Sequence, residues 1–390
     1  MIRTHRPTTN MSTTALIAAL VAGVASAQPS EPRSIDAATP AAASTTIALR
    51  ADVLHVGDGT QLANGIVAVR DGKIIAVGRE LTLPAGTPVV KLEGHLAAGM
   101  IALSDASGGE GELSDATRPV LPDAEVAWGI DSKDKAFERA LRSGITSVLI
   151  APSPDNLVGG IAAVVKTHGG EIVLRRAFLS LVFGSAALSD DRFPTSYGSA
   201  IAELEARFAK PEGAFAQAAK DELRTLMEVE RRQDVLAAIR FAKEHGLRGV
   251  LYGTAMAGEL VEQVRASGLH VVLPPLDPKV SARELEAATA IAKSGVPFGL
   301  ALDSPDRHPD TLRLSAAMLI RQGAEPTTVW RALTSDAARV AGVAGRLGSI
   351  AEGKDADLVL WSGAPIDLAS RVKTVWVNGA VVWEANGEQR

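Results

Sequence analysis

The stretch Arg346-Leu-Gly-Ser-Ile-Ala-Glu-Gly-Lys-Asp-Ala-Asp-Leu-Val-Leu-Trp361 constrains the fold more than any other in this chain. Short apolar strands, around Ser349-Ile350 and from Leu358 to Trp361, flank a Gly-Lys-Asp turn. There Gly353 can take positive φ and Asp355 can bond back to nearby backbone. A second hairpin follows, Val372 to Val377 and Val381 to Trp383, joined by the two-residue turn signal Asn378-Gly379. Four short strands cannot bury both their faces alone. Partner strands occur only near the start, between Thr46 and Lys91, where Asp71-Gly72 marks another hairpin. The implied architecture is a small β-module built from both termini, with the rest of the chain inserted between them.

The inserted part, from Gly99 to about Gly345, alternates strands with amphipathic helices. Strands are expected at Met100 to Leu103, Thr146 to Ile150, Ile161 to Val165, Val173 to Val182, Leu226 to Glu230, Gly249 to Tyr252, His270 to Leu273 and Phe298 to Leu302. Between them lie helical segments such as Lys133 to Arg142, Val235 to Glu244, Ala282 to Lys293 and Pro326 to Leu333, the last opening on a proline suited to a first helical turn. Roughly 245 residues of this pattern match a (β/α)₈ barrel, which takes about 250. A doubly wound open sheet is the alternative. It accounts less well for an insertion inside a β-module.

The leading residues read as a secretory signal peptide over 1–27. Arg3 and Arg6 form a positive region, Ala15 to Val24 an apolar run, and Ala25-Ser26-Ala27 a small-x-small cleavage site before Gln28. The apolar run is too short for an ordinary membrane span, and a retained anchor is the competing reading. Residues 28–45, rich in Pro, Ala, Ser and Thr, read as a linker. Cleavage removes Arg3 and Arg6 and no acid, so the net charge goes from −5 to −7. That balance favours neither nucleic acid nor an anionic membrane surface. The chain has no cysteine, which excludes disulfides, a thiol nucleophile and thiolate metal ligands.

Several stretches together resemble the amidohydrolase superfamily, in its imidazolonepropionase-like branch. They are Gly65-Ile-Val-Ala-Val-Arg-Asp-Gly-Lys-Ile-Ile-Ala-Val-Gly78, Gly99-Met-Ile101, Thr334-Ser-Asp-Ala-Ala-Arg-Val-Ala-Gly342, Arg346 to Trp361, and Val375-Trp-Val-Asn-Gly-Ala-Val-Val-Trp383. Ser143-Gly-Ile-Thr-Ser-Val-Leu and Asn156-Leu-Val-Gly-Gly with Ala163-Val-Val-Lys166 fit as well. The resemblance implies a barrel inserted in a β-sandwich, with boundaries 46–98 and 346–390 for the sandwich and 99–345 for the barrel. It also implies a hydrolase of C–N and related bonds that uses a divalent metal.

The family ends its first barrel strand in His-x-His, because residues two apart on a strand share a face and two imidazoles can grip one ion. Here the stretch is Ala98-Gly-Met-Ile-Ala-Leu-Ser-Asp-Ala106, so the two His positions fall on Ser104 and Ala106 and the acidic position on Ala102. Neither Ser nor Ala replaces an imidazole. By strict alternation Asp105 is aimed away from the interior. The strand expected to supply another His reads Leu226-Met-Glu-Val-Glu230, and the next, Gly249 to Thr254, also ends without one. Glu228 and Glu230, on one expected face, could hold a hard cation or form a solvated acidic strand end. Asp303 stands where the family uses an Asp as metal ligand and base; as a turn residue before Ser-Pro it needs no such role.

Lys166 and His168, two apart on the third strand, and His308, in the loop after Asp303, are the remaining candidates to meet a substrate. Gly159-Gly160 reads as a turn rather than an anion cradle, and Trp128 as a packing residue. Two functions stay open. One is an exported protein with a degenerate metal site, acting as a small-molecule binder or as a non-catalytic subunit with itself or a relative. The other is an active hydrolase with a reduced one-metal site using Asp303.

Overall fold

The computed structural model describes residues 46–385, apart from 110–112, 114, 116 and 304–306. The signal peptide and linker expected over 1–45 lie outside the described residues. Five strands open the described residues: β1 (Ile47–His55), β2 (Gln61–Ala63), β3 (Ile66–Arg70), β4 (Lys73–Gly78) and β5 (Val89–Ala98). Eight more follow: β6 (Met100–Asp105), β7 (Ile145–Ile150), β8 (Val158–Lys166), β9 (Ile172–Val182), β10 (Arg224–Glu228), β11 (Gly249–Tyr252), β12 (His270–Leu273) and β13 (Phe298–Leu300). The last three are β14 (Leu358–Trp361), β15 (Val372–Val377) and β16 (Ala380–Glu384).

The termini meet in one sheet, ordered β16-β15-β14-β5-β1-β3-β4 with β2 beside β1. β5 is the joint, parallel to β1 and antiparallel to β14. Leu49, Leu54, Val67, Ile74, Leu96, Ile350, Leu358 and Trp376 form its apolar core. This is the pairing that the terminal hairpins required.

The second sheet runs β6 to β13 in sequence order. A parallel bridge between Leu103 and Ala301 brings its first and last strands together, which makes a barrel-like closure and not an open sheet. Ile101, Leu103, Leu149, Ala162, Val164, Phe178, Leu226, Val250, Val272 and Ala301 fill the interior. Outside it pack α1 (Lys135–Arg142), α2 (Tyr197–Ala209), α3 (Gly213–Ala219), α4 (Arg232–His245), α5 (Val261–Ser267), α6 (Ala282–Ser294), α7 (Thr311–Arg321) and α8 (Pro326–Leu333), while α9 (Ser335–Ala341) adds Ala337, Ala338, Val340 and Ala341 to the interior cluster. Local chemistry sets their ends. Ser281 and Glu284 form a capping box at α6, and Gly246 closes α4 in the left-handed region at φ 66°.

One strand departs from the all-parallel pattern. β8 is antiparallel to both β7 and β9, and forms a hairpin with β9. Gly159 and Gly160 lie inside β8 and not in a turn. Gly160 has φ 114°, and a Cβ there would lie 2.3 Å from the Ala124 carbonyl oxygen. Among the described residues no helix is long and apolar enough to cross a membrane.

Candidate active site

Barrel chemistry sits where strands end, and four side chains gather there. Glu228 ends β10, Tyr252 ends β11, Asp303 follows β13 and Ser104 lies near the end of β6. Alternation explains three of them: Leu226, Val250 and Ala301 face the interior, so the residues two further on face it too.

Ser104 needs a separate account. The phase of β6 is the reverse of the sequence expectation. Ile101 and Leu103 belong to the interior, while Ala102 joins the outer core. Ser104 would therefore point outward, but it adopts φ 58°, and the pairing of β6 with β7 shifts register between Ala102 and Asp105. The left-handed residue re-aims the chain, and the Ser104 hydroxyl hydrogen-bonds Tyr252. Asp303 is also left-handed, at φ 53°. The N–H groups of Leu302 and Asp303 both donate to the Ser104 carbonyl oxygen, at 3.3 and 3.2 Å. Non-glycine residues in that region cost about 1–3 kcal/mol each, so the surrounding strands hold two uncommon conformations at the barrel seam.

Tyr252 ties the cluster together. Its hydroxyl donates to Asp303 Oδ1 at 2.8 Å. Burial, and then the Asp303 charge, push the phenol well above its usual range, so it keeps its proton. Glu228 is pushed up to about 8, first by burial and then by the charges of Asp303, Asp155 and Glu230. At neutral pH the cluster thus holds a neutral carboxylic acid at Glu228 and a neutral phenol beside the Asp303 carboxyl group.

The other candidates are placed as follows. Glu230 is exposed, lies two residues beyond the end of β10 and hydrogen-bonds Ser185; the strand is shorter than expected, so Glu230 does not share its face with Glu228. Lys166 is fully buried at the opposite end of the barrel, because β8 runs antiparallel. Its ammonium bonds Asp355 at 2.7 Å, Asp357 at 3.1 Å and Asn378 at 2.5 Å, all in the terminal β-module. His168 is exposed in the β8–β9 turn at that same end. The His308 side chain is 70% exposed and 3.5 Å from Asp310. Asp355 does not close its own turn; its carboxylate takes Lys166, Lys73 and Arg346. Trp128 is 81% exposed with Arg175 over its ring at 4.2 Å, so it does not pack in the core. Tyr252 and its bond to Asp303 escaped the sequence argument, although its place at a barrel strand's end was a usable signal.

Among the described residues there is no group of three or more His, Asp or Glu side chains placed to hold a metal ion. At the mouth, one Asp303 oxygen already accepts from a phenol, and the other groups of the cluster are the Tyr252 and Ser104 hydroxyls, which are weak ligands, and the Glu228 carboxyl, which burial favours in its protonated form. As placed, these donors do not fit a divalent ion.

A model of the amidohydrolase family matches residues 212–382. An amidohydrolase from Thermotoga maritima MSB8 is similar at 27% identity, over 87% of this chain and 100% of that one, with a TM-score of 0.79. More distant likenesses show the fold. The ochratoxinase of A. niger has 17% identity, 88% and 96% coverage and a TM-score of 0.56. A molinate hydrolase has 15% identity, 87% and 95% coverage and a TM-score of 0.59. No curated protein matches the chain.

Proposed function

We propose, for a chain that belongs to the amidohydrolase superfamily, an exported protein whose barrel mouth binds a small polar ligand by hydrogen bonds and performs no metal-dependent hydrolysis. It acts as a binder, or as a non-catalytic subunit beside a relative. The observation that carries this reading is the Tyr252–Asp303 hydrogen bond of 2.8 Å at the strand ends, in a cluster with no imidazole. Neutral Glu228 offers a donor and the Asp303 carboxyl group an acceptor. That pairing suits an amide, ureide or carbamate group, which carries both functions. Export rests on the pattern of residues 1–27 alone, and Gln28 is the N-terminus expected after processing.

A second reading keeps the chemistry of the fold. The charges of Glu228 and Asp303 act on each other, and a single cation between them would relieve both, giving a one-metal hydrolase with Asp303 as base.

The test uses the mature chain, a thermal-shift screen of N-acyl amino acids, dipeptides, ureides and carbamates, and an assay for released amine. Our reading expects at least one compound to raise the melting temperature, the effect lost in Asp303→Asn, with no amine released. Amine release that Asp303→Asn abolishes would establish the second reading instead.

A further inference from the structure

We infer that Tyr252, by donating its hydroxyl to Asp303, takes up the carboxylate oxygen that a cation would need, and that with Ser104, and beside Glu228, it makes a hydrogen-bonded plug that keeps a divalent ion out of the barrel mouth. This rests on the metal-free reading proposed above and deepens it. It also places the cause elsewhere: loss of histidines from the first strand removes ligands, whereas the plug occupies the space and the lone pairs that remain.

The residues come from four different strands, so the plug is a product of the closed barrel. Tyr252 brings a neutral oxygen from the end of β11, bonded on one side to Asp303 and on the other to Ser104. Ser104 and Asp303 are fixed to one another through backbone, since both Leu302 and Asp303 donate to the Ser104 carbonyl. An ion entering here would have to break the phenol–carboxylate bond and displace the proton that burial favours on Glu228, and beyond those two carboxyl groups it would find only hydroxyl ligands of little affinity. Zinc and similar ions take imidazole or carboxylate ligands in tetrahedral sets, and two carboxyl groups fall short of such a set. Glu228, the fourth member, ends β10, where the superfamily resemblance implied a histidine. The plug predicts that the barrel itself is competent to hold a metal once these side chains are changed.

Cobalt(II) is a suitable probe, because its visible absorption reports coordination without any catalytic assay. The wild-type protein, Tyr252→His and the double variant Glu228→His/Tyr252→His are titrated with cobalt chloride. Metal retained after gel filtration is measured by plasma mass spectrometry, and folding by circular dichroism. Wild type is expected to show no absorption band and no retained cobalt. The double variant is expected to retain close to one equivalent with a band, and Tyr252→His to bind at least ~10-fold more tightly than wild type. The single variant carries the test if the double one misfolds. Stoichiometric cobalt in wild type, lost in Asp303→Ala, overturns both this inference and the metal-free reading. An empty wild type with folded variants that are also empty overturns this inference alone.

Discussion

Glu228 carries an electrostatic consequence that a change of pH can test. Its folded-state value of about 8 lies above the ordinary 4.5, with burial the leading cause and Asp303 the next. The folded protein therefore holds a proton that the unfolded chain has released across that interval, so raising the pH from about 4.5 to about 8 favours unfolding. Between about 6.5 and 8, above the range in which His55 and His270, both lowered to about 4 chiefly by burial, contribute the opposite slope, denaturant melts should show stability falling for wild type. Glu228→Gln should flatten the slope, and an unchanged slope would remove Glu228 as its source. Asp355 behaves oppositely. Burial acts against its charge, but Lys166, Lys73 and Arg346 outweigh that and hold it down at about 2, below the ordinary 3.8. Its contribution is present above 3.8 and is lost as the pH falls toward 2. Asp355→Asn should therefore lose stability at neutral pH and be less sensitive to acid than wild type. Asp303 was legible from sequence as the acid closing the last barrel strand. Its partner was not, because a tyrosine at a strand end has no chemical signature until the neighbouring strand's carboxylate is beside it.

β8 shows how an element can be read correctly in type and wrongly in direction. Its apolar run and length announced a strand, and Ile161 to Val165 lies within it. Periodicity carries no information on direction, and the alternating pattern suggested another parallel strand. The hairpin to β9 reverses it, with a turn at Gly169 and Gly170, both at positive φ. That reversal sends Lys166 to the end of the barrel away from Glu228 and Asp303. The Gly159-Gly160 pair serves the same strand, letting the segment around Ala124 come within reach: Ile161 N–H donates to the Ala124 carbonyl at 2.6 Å. Gly160→Ala would force a Cβ to within 2.3 Å of that oxygen and place an L-residue at φ 114°. A loss of about 1–3 kcal/mol in stability is expected, measurable by equilibrium unfolding, while Gly169→Ala, with open space around it, should cost less.

Across the whole molecule, a buried charged network joins the end of β8 to the terminal sheet. The Lys166 and Asp355 side chains are both 0% exposed. Arg346 bonds Asp355 and Glu171 at 2.7 Å each, and Asn378 donates from its backbone to Asp357 at 2.8 Å and from its side chain to Glu171 at 2.7 Å. A buried cation removed alone leaves its carboxylates uncompensated. Lys166→Met should thus destabilise the fold by roughly 3–5 kcal/mol, and a loss below about 1 kcal/mol would show that the network is better solvated than its burial indicates. Ending the chain at Gly345 would remove β14 to β16, the edge partner of β5 and this network together, and should abolish cooperative unfolding. The need for both termini was written in the sequence, because turn signals and apolar alternation are local and the unpaired strands had one place to find partners. Fold class and strand identity followed from the same local rules. Strand direction at β8, the phase of β6 and the Ser104–Tyr252–Asp303 chain did not. They depend on how eight strands close on one another, and closure fixes which side chains meet only after register, twist and two left-handed residues have been settled together.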